Sequence, residues 1–206
     1  AGEDHSSPEP STLSETAERH LEKCNFSPDQ ERIIMKVKDY LEAVVAAREN
    51  HQIPPPKPFK ILLTGGPGTG KSFVIEKICD LVKWLRTGKV TTSSWNGIAA
   101  VNIDGSTLCS LLNIRPTDRK ATSDQKGHIA PITSVDMLQK MRNSLNPDQM
   151  CIFVIDEVST ADGICIATVD TRLKQLMGND LDFGGVAMLF VGDFNQLPPV
   201  QAESLA

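Results

Sequence analysis

Short strand-forming runs alternate along the chain with segments in which apolar residues recur at helical spacing. The strand-forming runs lie at residues 61–64, 89–93, 150–155 and 186–191. Between these runs, apolar residues recur at the spacing of a helix, most clearly after residue 72, over 135–145 and over 161–177. This alternation is typical of an α/β domain in which a mainly parallel sheet carries helices on both faces.

The N-terminal part of the chain has a different character. Residues 1–24 are rich in Ser, Pro, Glu and Thr, and they carry a net charge of −4. We expect a flexible acidic tail there, with any helix starting near Thr16. Residues 25–58 follow as a second segment, in which Ser27 and Pro28 predict a helix start and the Pro-rich stretch 53–58 predicts a stiff connector. Residues 59–206 would then form the main domain.

Composition narrows the class of protein. An apolar content of 40% with 23% charged residues is ordinary for a globular chain, and no apolar run is long enough for a membrane span. The five cysteines form no C-x-x-C pair, which favours reduced thiols in an intracellular protein. We expect the nucleus or mitochondrion if the source is eukaryotic. The net charge of −5 falls mostly on the first 24 residues, so a local basic groove is permitted in the near-neutral remainder.

The first strand-forming run leads directly into the sequence GGPGTGKS at 65–72, which fits the phosphate-loop pattern G-x-x-x-x-G-K-[ST]. Glycines let backbone N–H groups approach phosphate oxygens, and the helix that follows adds its positive N-terminal end. Lys71 would reach the β- and γ-phosphates of ATP, and Ser72 would ligate Mg²⁺. The predicted nucleotide-binding residues are Gly66, Pro67, Gly68, Thr69, Gly70, Lys71 and Ser72. A chance Gly-rich turn is the weaker alternative, because a strand precedes the loop and an amphipathic segment follows it.

Two acidic residues end the apolar strand at 150–155. Asp156 would hold Mg²⁺, and Glu157 would act as the general base that polarises the attacking water. The alternative is that they form an acidic helix cap after a strand. The phosphate loop upstream favours the first interpretation, so Lys71 and Glu157 are candidate catalytic residues.

Four strings together resemble the Pif-one and RecD-like family of superfamily-one DNA helicases. They are GGPGTGKS at 65–72, NGIAAVNIDGSTLCSLL at 96–112, VIDEVS at 154–159 and VGDFNQLPPV at 191–200. The resemblance runs from about Phe26 to Val200. It implies a RecA-like motor domain that uses ATP and Mg²⁺ to move five-prime to three-prime along single-stranded DNA and to unwind duplexes, with roles in DNA repair, recombination and telomere maintenance.

The resemblance also implies roles for two glutamines. Gln196, in the last string, would sense the γ-phosphate and is the third candidate catalytic residue. Gln30, in the segment Phe-Ser-Pro-Asp-Gln at 26–30, would read the edge of adenine. Ser27 and Gln30 also fit a capping box, in which Gln30 satisfies a backbone N–H, and this alternative stays open.

Residues in two further turns match the family's contacts with the DNA backbone. The candidate DNA-binding residues are Trp95, Asn96, Gly97, Thr107 and Ser110. Asn96 stands where the family has Thr, and Cys109 stands where it has His, so the polar chemistry of this contact departs from the family pattern. Trp95 either stacks on a base or packs against the protein.

A helicase of this family needs a second motor domain, which this chain does not include. We therefore expect a monomeric first motor domain that hydrolyses ATP slowly alone and whose partners are single-stranded DNA or DNA junctions. The other function classes are a different phosphate-loop enzyme, such as a kinase or GTPase, and an inactive nucleotide- or DNA-binding module. No N-K-x-D guanine signature occurs, which disfavours a GTPase.

Overall fold

The computed structural model describes residues 10–95, 100, 105–114 and 129–195. Within this part, a sheet of five parallel strands has the order β1-β5-β4-β2-β3. The strands are β1 (Lys60–Thr64), β2 (Lys89–Ser94), β3 (Ser106–Thr107), β4 (Met150–Asp156) and β5 (Ala187–Gly192). The four strands predicted from the sequence are confirmed, and the two-residue strand β3 was not predicted.

Six helices have both of their ends within the described residues. They are α1 (Pro10–Leu21), α2 (Pro28–Glu49), α3 (Lys71–Trp84), α4 (Leu108–Leu111), α5 (Val135–Leu145) and α6 (Gly163–Met177). Single 3-10 turns occupy Val158–Thr160 and Asp182–Gly185. Among the helices that the structure describes, none combines the length and the apolar character needed to cross a lipid bilayer.

The chain divides into two compact units. The first contains Ala1–Lys57 and Phe73–Gly88, and the second contains Pro58–Ser72 and Lys89–Ala206. The sheet belongs wholly to the second unit, whereas α1, α2 and most of α3 belong to the first. Helix α3 therefore begins in one unit and continues in the other.

Helix α1 corrects the expectation of a flexible tail over residues 1–24. It begins at Pro10, and its side chains Ala17 and Leu21 are buried in the first unit. The spacing of Leu13, Ala17 and Leu21 places apolar groups one turn apart, so that a segment poor in apolar residues still presents an apolar stripe. On the same helix, Glu18 forms an ion pair with Lys38 of α2 at 2.9 Å.

The core of the second unit is built around β4. Phe153 and Ile155 on this strand are fully buried, and they belong to the same cluster as Leu173 and Val169 of α6. Burying a side chain of this size contributes about 1.5–3 kcal/mol each relative to leaving it exposed. Helices α4 and α5 add Leu111 and other residues to this cluster, which fixes the position of β4.

The strand order determines which loops meet. Strand β5 lies between β1 and β4, and all three run in the same direction. Their carboxyl ends therefore open on the same edge of the sheet, where ligands of such folds bind. The segments that leave this edge begin at Gly65, Glu157 and Asp193.

Gly192 packs too tightly for a larger residue. A Cβ at this position would lie 3.0 Å from the Ser159 backbone nitrogen and 3.1 Å from Val158 Cγ1. We expect Gly192→Ala to lower the free energy of unfolding by about 1–3 kcal/mol, because overpacking forces the neighbouring turn to shift. Chemical denaturation measures this change.

Gly163→Ala is the matched control, because a Cβ there meets no atom within 4 Å. The free energy of unfolding of this control should stay unchanged or rise by about 0.5–1 kcal/mol, since alanine favours a helix. Equal effects of the two substitutions would contradict the packing argument.

Candidate active site

The loop after β1 has a backbone that only glycine adopts easily. Gly68 and Gly70 have φ angles of 76° and 80°, in the left-handed region. A Cβ on Gly65 would approach Thr69 Oγ1 to 2.6 Å, so glycine is also required there for close packing. The Thr69 hydroxyl donates a hydrogen bond to the Gly66 carbonyl at 2.9 Å, which closes the turn. The sequence pattern G-x-x-x-x-G-K-[ST] thus folds into a tight loop at the start of α3.

The ammonium group of Lys71 rests on this loop. Its Nζ donates hydrogen bonds to the carbonyl oxygens of Gly65 at 2.6 Å and of Gly66 at 3.0 Å. The side chain is half-buried, and its charge acts on the carboxylates of Asp156 and Glu157. Lys71 would exchange its two carbonyl partners for phosphate oxygens on binding a nucleotide.

The two acidic residues face the same space despite being neighbours in sequence. Asp156 ends β4 with 9% of its surface exposed, and its Oδ1 accepts a hydrogen bond from the Glu157 N–H at 2.9 Å. Glu157 has left the extended conformation, with φ 54° and ψ 39°. Consecutive side chains of a strand point to opposite faces, so this left-handed turn allows both carboxylates to line one cavity.

That cavity brings the predicted nucleotide and metal residues together. It has a volume of about 320 Å³. It is lined by Gly68, Thr69, Gly70, Lys71, Ser72, Asp156 and Glu157. The predicted residues Gly66 and Pro67 belong to the same loop but do not line it. The loop is therefore not filled by its own side chains, and a phosphate group has space beside the acids.

Burial raises the pKa values of both carboxyl groups. For Asp156, desolvation raises the pKa, and the Glu157 N–H and the Lys71 charge oppose the rise. For Glu157, desolvation raises the pKa, the negative charges of Asp156 and Asp193 add to the rise, and Lys71 opposes it. A base with a raised pKa accepts a proton more readily, which suits general-base chemistry.

Asp193 was not among the residues singled out from the sequence. It follows β5, has 3% of its surface exposed, and its Oδ1 accepts a hydrogen bond from the Asn195 N–H at 3.0 Å. Strands β5 and β4 are neighbours in the sheet, so the residues that follow them lie close together. The negative charge of Asp193 therefore acts on Glu157. The available signal was its place in the string GDFNQLPPV, three residues before Gln196.

The side chains present fit a bound Mg²⁺. Ser72 is exposed in the cavity, and Asp156 offers a second carboxylate oxygen beside the one that its neighbour's N–H occupies. Hydroxyl and carboxylate oxygens are the ligands that Mg²⁺ prefers, and it commonly completes its shell with phosphate oxygens and water. In the described ranges, no group of three or more His, Cys, Asp or Glu side chains forms an all-protein metal cage. This donor set agrees with an ion held partly by its nucleotide.

The predicted DNA-contacting residues receive less support. Asn96 and Gly97 lie outside the described residues, as does Gln196. Thr107 caps α4, since its Oγ1 accepts a hydrogen bond from the Ser110 N–H at 3.2 Å. Trp95 is half-buried and packs against the core of the second unit, which favours the packing interpretation.

The capping box at the start of α2 is confirmed. The Ser27 N–H donates to Gln30 Oε1 at 2.9 Å, and the Gln30 N–H donates to Ser27 Oγ at 3.4 Å. Both residues lie in the first unit. A contact between Gln30 and adenine stays a prediction.

The buried charge of Asp156 should lower the stability of the nucleotide-free chain. Its pKa in the folded chain is raised, so the folded state binds the proton more tightly than the unfolded state, and stability falls as the pH rises through the raised pKa. We expect Asp156→Asn to raise Tm by a few degrees at neutral pH, and this gain should shrink as the pH falls through the raised pKa of the wild-type carboxyl, which then becomes neutral. Scanning calorimetry of the original chain and of the Asp156→Asn variant measures this difference in Tm. Asp148→Asn, at an exposed position, is the control, and an equal rise there would contradict the prediction.

Comparison with known proteins agrees with this geometry. A family model described as PIF1-like helicase matches residues 32–205. The ATP-dependent DNA helicase Pif1 of Psychrobacter sp. is 30% identical over 143 residues, which cover 68% of this chain and 20% of that protein. The ATP-dependent DNA helicase RRM3 of Saccharomyces cerevisiae is 34% identical over 143 residues, which cover 68% of this chain and 18% of that protein.

A solved structure is also similar. The crystal structure of Pif1 helicase from Bacteroides in complex with ADP-AlF3 and single-stranded DNA matches with a TM-score of 0.58 and 23% identity, covering 88% of this chain and 35% of that one. This likeness supports the α/β, RecA-like fold that was expected from the sequence. The chain spans about a fifth of the length of these curated relatives and about a third of the solved chain.

Proposed function

The chain belongs to the PIF1-like helicase family, and from this premise we propose that it is the ATP-hydrolysing motor domain of a DNA helicase. The observation that carries the proposal is the single cavity in which the phosphate loop meets Asp156 and Glu157. A glycine loop, a lysine, a hydroxyl and two carboxylates are the groups that phosphoryl transfer from ATP to water requires.

Each residue has a distinct role in this mechanism. The loop amides and Lys71 hold the β- and γ-phosphates, while Ser72 and Asp156 hold Mg²⁺. When bound there, Mg²⁺ would supply positive charge that neutralises the phosphates. Glu157 accepts a proton from the water that attacks the γ-phosphate, and its raised pKa increases its strength as a base. Gln196 reports the loss of the γ-phosphate to the segments that contact DNA.

The same proposal includes translocation along single-stranded DNA in the five-prime to three-prime direction. The Bacteroides Pif1 structure was determined with both ADP-AlF3 and single-stranded DNA, which supports a site for each ligand in this family. We propose that a second motor domain completes the cleft and supplies arginines to the transferring phosphoryl group. Such an arginine accelerates other nucleotide hydrolases by about 10³–10⁵-fold. This chain alone should therefore hydrolyse ATP slowly.

Steady-state ATP hydrolysis tests the proposal. The measurement compares this chain with a longer form of the protein that includes the second motor domain, each with and without single-stranded DNA. We expect slow hydrolysis by the chain alone and DNA-stimulated hydrolysis by the longer form. Hydrolysis of GTP in preference to ATP, or transfer of phosphate to an acceptor other than water, would indicate another phosphate-loop enzyme. Absence of ATP binding by the longer form would indicate an inactive module.

Two substitutions separate the two roles considered for Gln30. Gln30→Glu keeps a side-chain acceptor for the cap, since Glu serves at this position of a capping box, but it removes the amide donor. We expect it to weaken ATP binding about tenfold and to leave the binding of inorganic tripolyphosphate almost unchanged. Titration calorimetry with both ligands measures the difference.

Ser27→Ala is the reciprocal variant, because it removes the cap and keeps the amide. It should cost about 1 kcal/mol of stability and leave ATP affinity unchanged. If Gln30→Glu binds ATP as tightly as the original chain does, Gln30 acts only as a cap.

A further inference from the structure

A groove in the first unit lies between α1, the segment 22–27 and α2. Its volume of about 430 Å³ falls in the range of about 300–1,000 Å³ that is usual for ligand sites. Leu21, Phe26, Ile34 and Met35 form its apolar part. Of these side chains, Met35 has 40% of its surface exposed, which is high for a large apolar residue. No residue of the proposed catalytic cavity lines this groove.

Helical spacing produces the groove. Residues 31, 34, 35 and 38 share one face of α2, and residues 18 and 21 share one face of α1, which Glu22 follows directly. Each face combines apolar side chains with glutamates. The two faces and the segment between the helices therefore form an apolar groove with an acidic border.

A cation of the chain itself, Lys38, already lines this groove. Lys38 Nζ lies 2.9 Å from a carboxylate oxygen of Glu18 and 2.9 Å from one of Glu42, and its side chain is only 6% exposed. Burial alone would lower the pKa of Lys38, but the hydrogen bonds to Glu42 and Glu18 raise it above the ordinary value. Carboxylates on these two helices therefore stabilise a positive charge against apolar surroundings.

Two exposed glutamates also line the groove. Glu22 and Glu31 line the groove and are exposed, and neither forms an ion pair within the described part of the chain. Glu31 and Met35 are one turn apart on α2, so a cation bound at Glu31 would lie beside the exposed part of Met35. The stem of an arginine or lysine side chain covers apolar surface while its charged end stays at the border.

We propose that this groove binds a cationic, partly apolar peptide segment of a protein partner, whose Arg or Lys reaches Glu22 and Glu31 while an adjacent apolar side chain covers Met35 and Phe26. The acidic border repels nucleic-acid phosphates, so the surface is distinct from any DNA contact. Arginine beside apolar anchors is also a common composition of interface centres.

Fluorescence anisotropy with labelled peptides tests this proposal. The probe is a short peptide of alternating leucine and arginine, and the comparison peptides replace either every arginine by glutamate or every leucine by glycine. The protein is the chain described here and its double variant Glu22→Gln/Glu31→Gln. Asp148→Asn/Asp180→Asn removes the same charge at two exposed positions of the other unit and serves as the control.

We expect saturable binding of the leucine–arginine peptide that weakens about tenfold or more in the Glu22→Gln/Glu31→Gln variant and about twofold or less in the control. Met35→Gln should weaken binding too, and amide NMR shifts should change at residues 22–38. Three results would overturn the proposal: equal weakening in the control, equal binding of the glycine peptide, or no saturable binding by the folded original chain. Thermal unfolding of each variant establishes that it is folded.

Discussion

Replacing Lys71 by alanine should abolish ATP turnover. Lys71 is the cation that acts on both Asp156 and Glu157, and its ammonium group lies on the loop that would hold the phosphates. Without it, the carboxylates of Asp156 and Glu157 lose the cationic side chain that offsets their charge. Removing one preorganised group of this kind lowers turnover by about 10²–10³-fold in other enzymes, and we expect at least that loss.

The measurement is DNA-stimulated ATP hydrolysis by the longer form that includes the second motor domain. Lys83→Ala provides the control, since Lys83 lies near the other end of α3 with 74% of its side chain exposed. It should leave turnover unchanged. Retained turnover in Lys71→Ala would remove the proposed site.

Replacing Glu157 by glutamine should stop hydrolysis while ATP still binds. The amide cannot accept the proton of the attacking water, and loss of a general base typically costs about 10²–10⁴-fold in rate. Binding should persist, because the phosphate loop, Lys71 and Asp156 are unchanged. The Asp156 carboxylate should also keep its hydrogen bond, since the donor is the backbone N–H of residue 157.

Single-turnover hydrolysis and ATP titration distinguish these two effects. Glu49→Gln, at the exposed end of α2, makes the same chemical change at a distance from the cavity and should alter neither quantity. If Glu157→Gln lost binding and hydrolysis together, the role of this residue would be to hold the nucleotide rather than to act as base.

Much of this fold follows from local sequence. The strand at 150–155 is predicted by its apolar run, the start of α2 by Ser27 and Pro28, and the phosphate loop by its glycine spacing. These features depend on neighbouring residues, so a single sequence reveals them. The same locality explains why the sequence could offer the capping box as an alternative role for Ser27 and Gln30.

The features that were missed depend on contacts between distant residues or on special backbone angles. Helix α1 is stabilised by packing in the first unit and by the pair of Glu18 with Lys38, neither of which its own composition indicates. The left-handed conformation of Glu157 is rare for a residue with a side chain, and its sequence neighbours do not predict it. The effect of Asp193 on Glu157 arises only because β5 lies between β1 and β4.

The strand order has a consequence for biosynthesis. Strand β1, which leads into the phosphate loop, pairs with β5 alone among the described strands, and β5 is the last of them to be translated. The ribosome has therefore added more than a hundred residues after β1 before its neighbour emerges. Pairing over such a sequence separation is slow, and an unpaired strand edge is prone to aggregation meanwhile. A nascent chain that stalls before residue 187 would hold the complete glycine loop on a strand without its neighbour, so chaperone dependence should be greatest at that stage of synthesis.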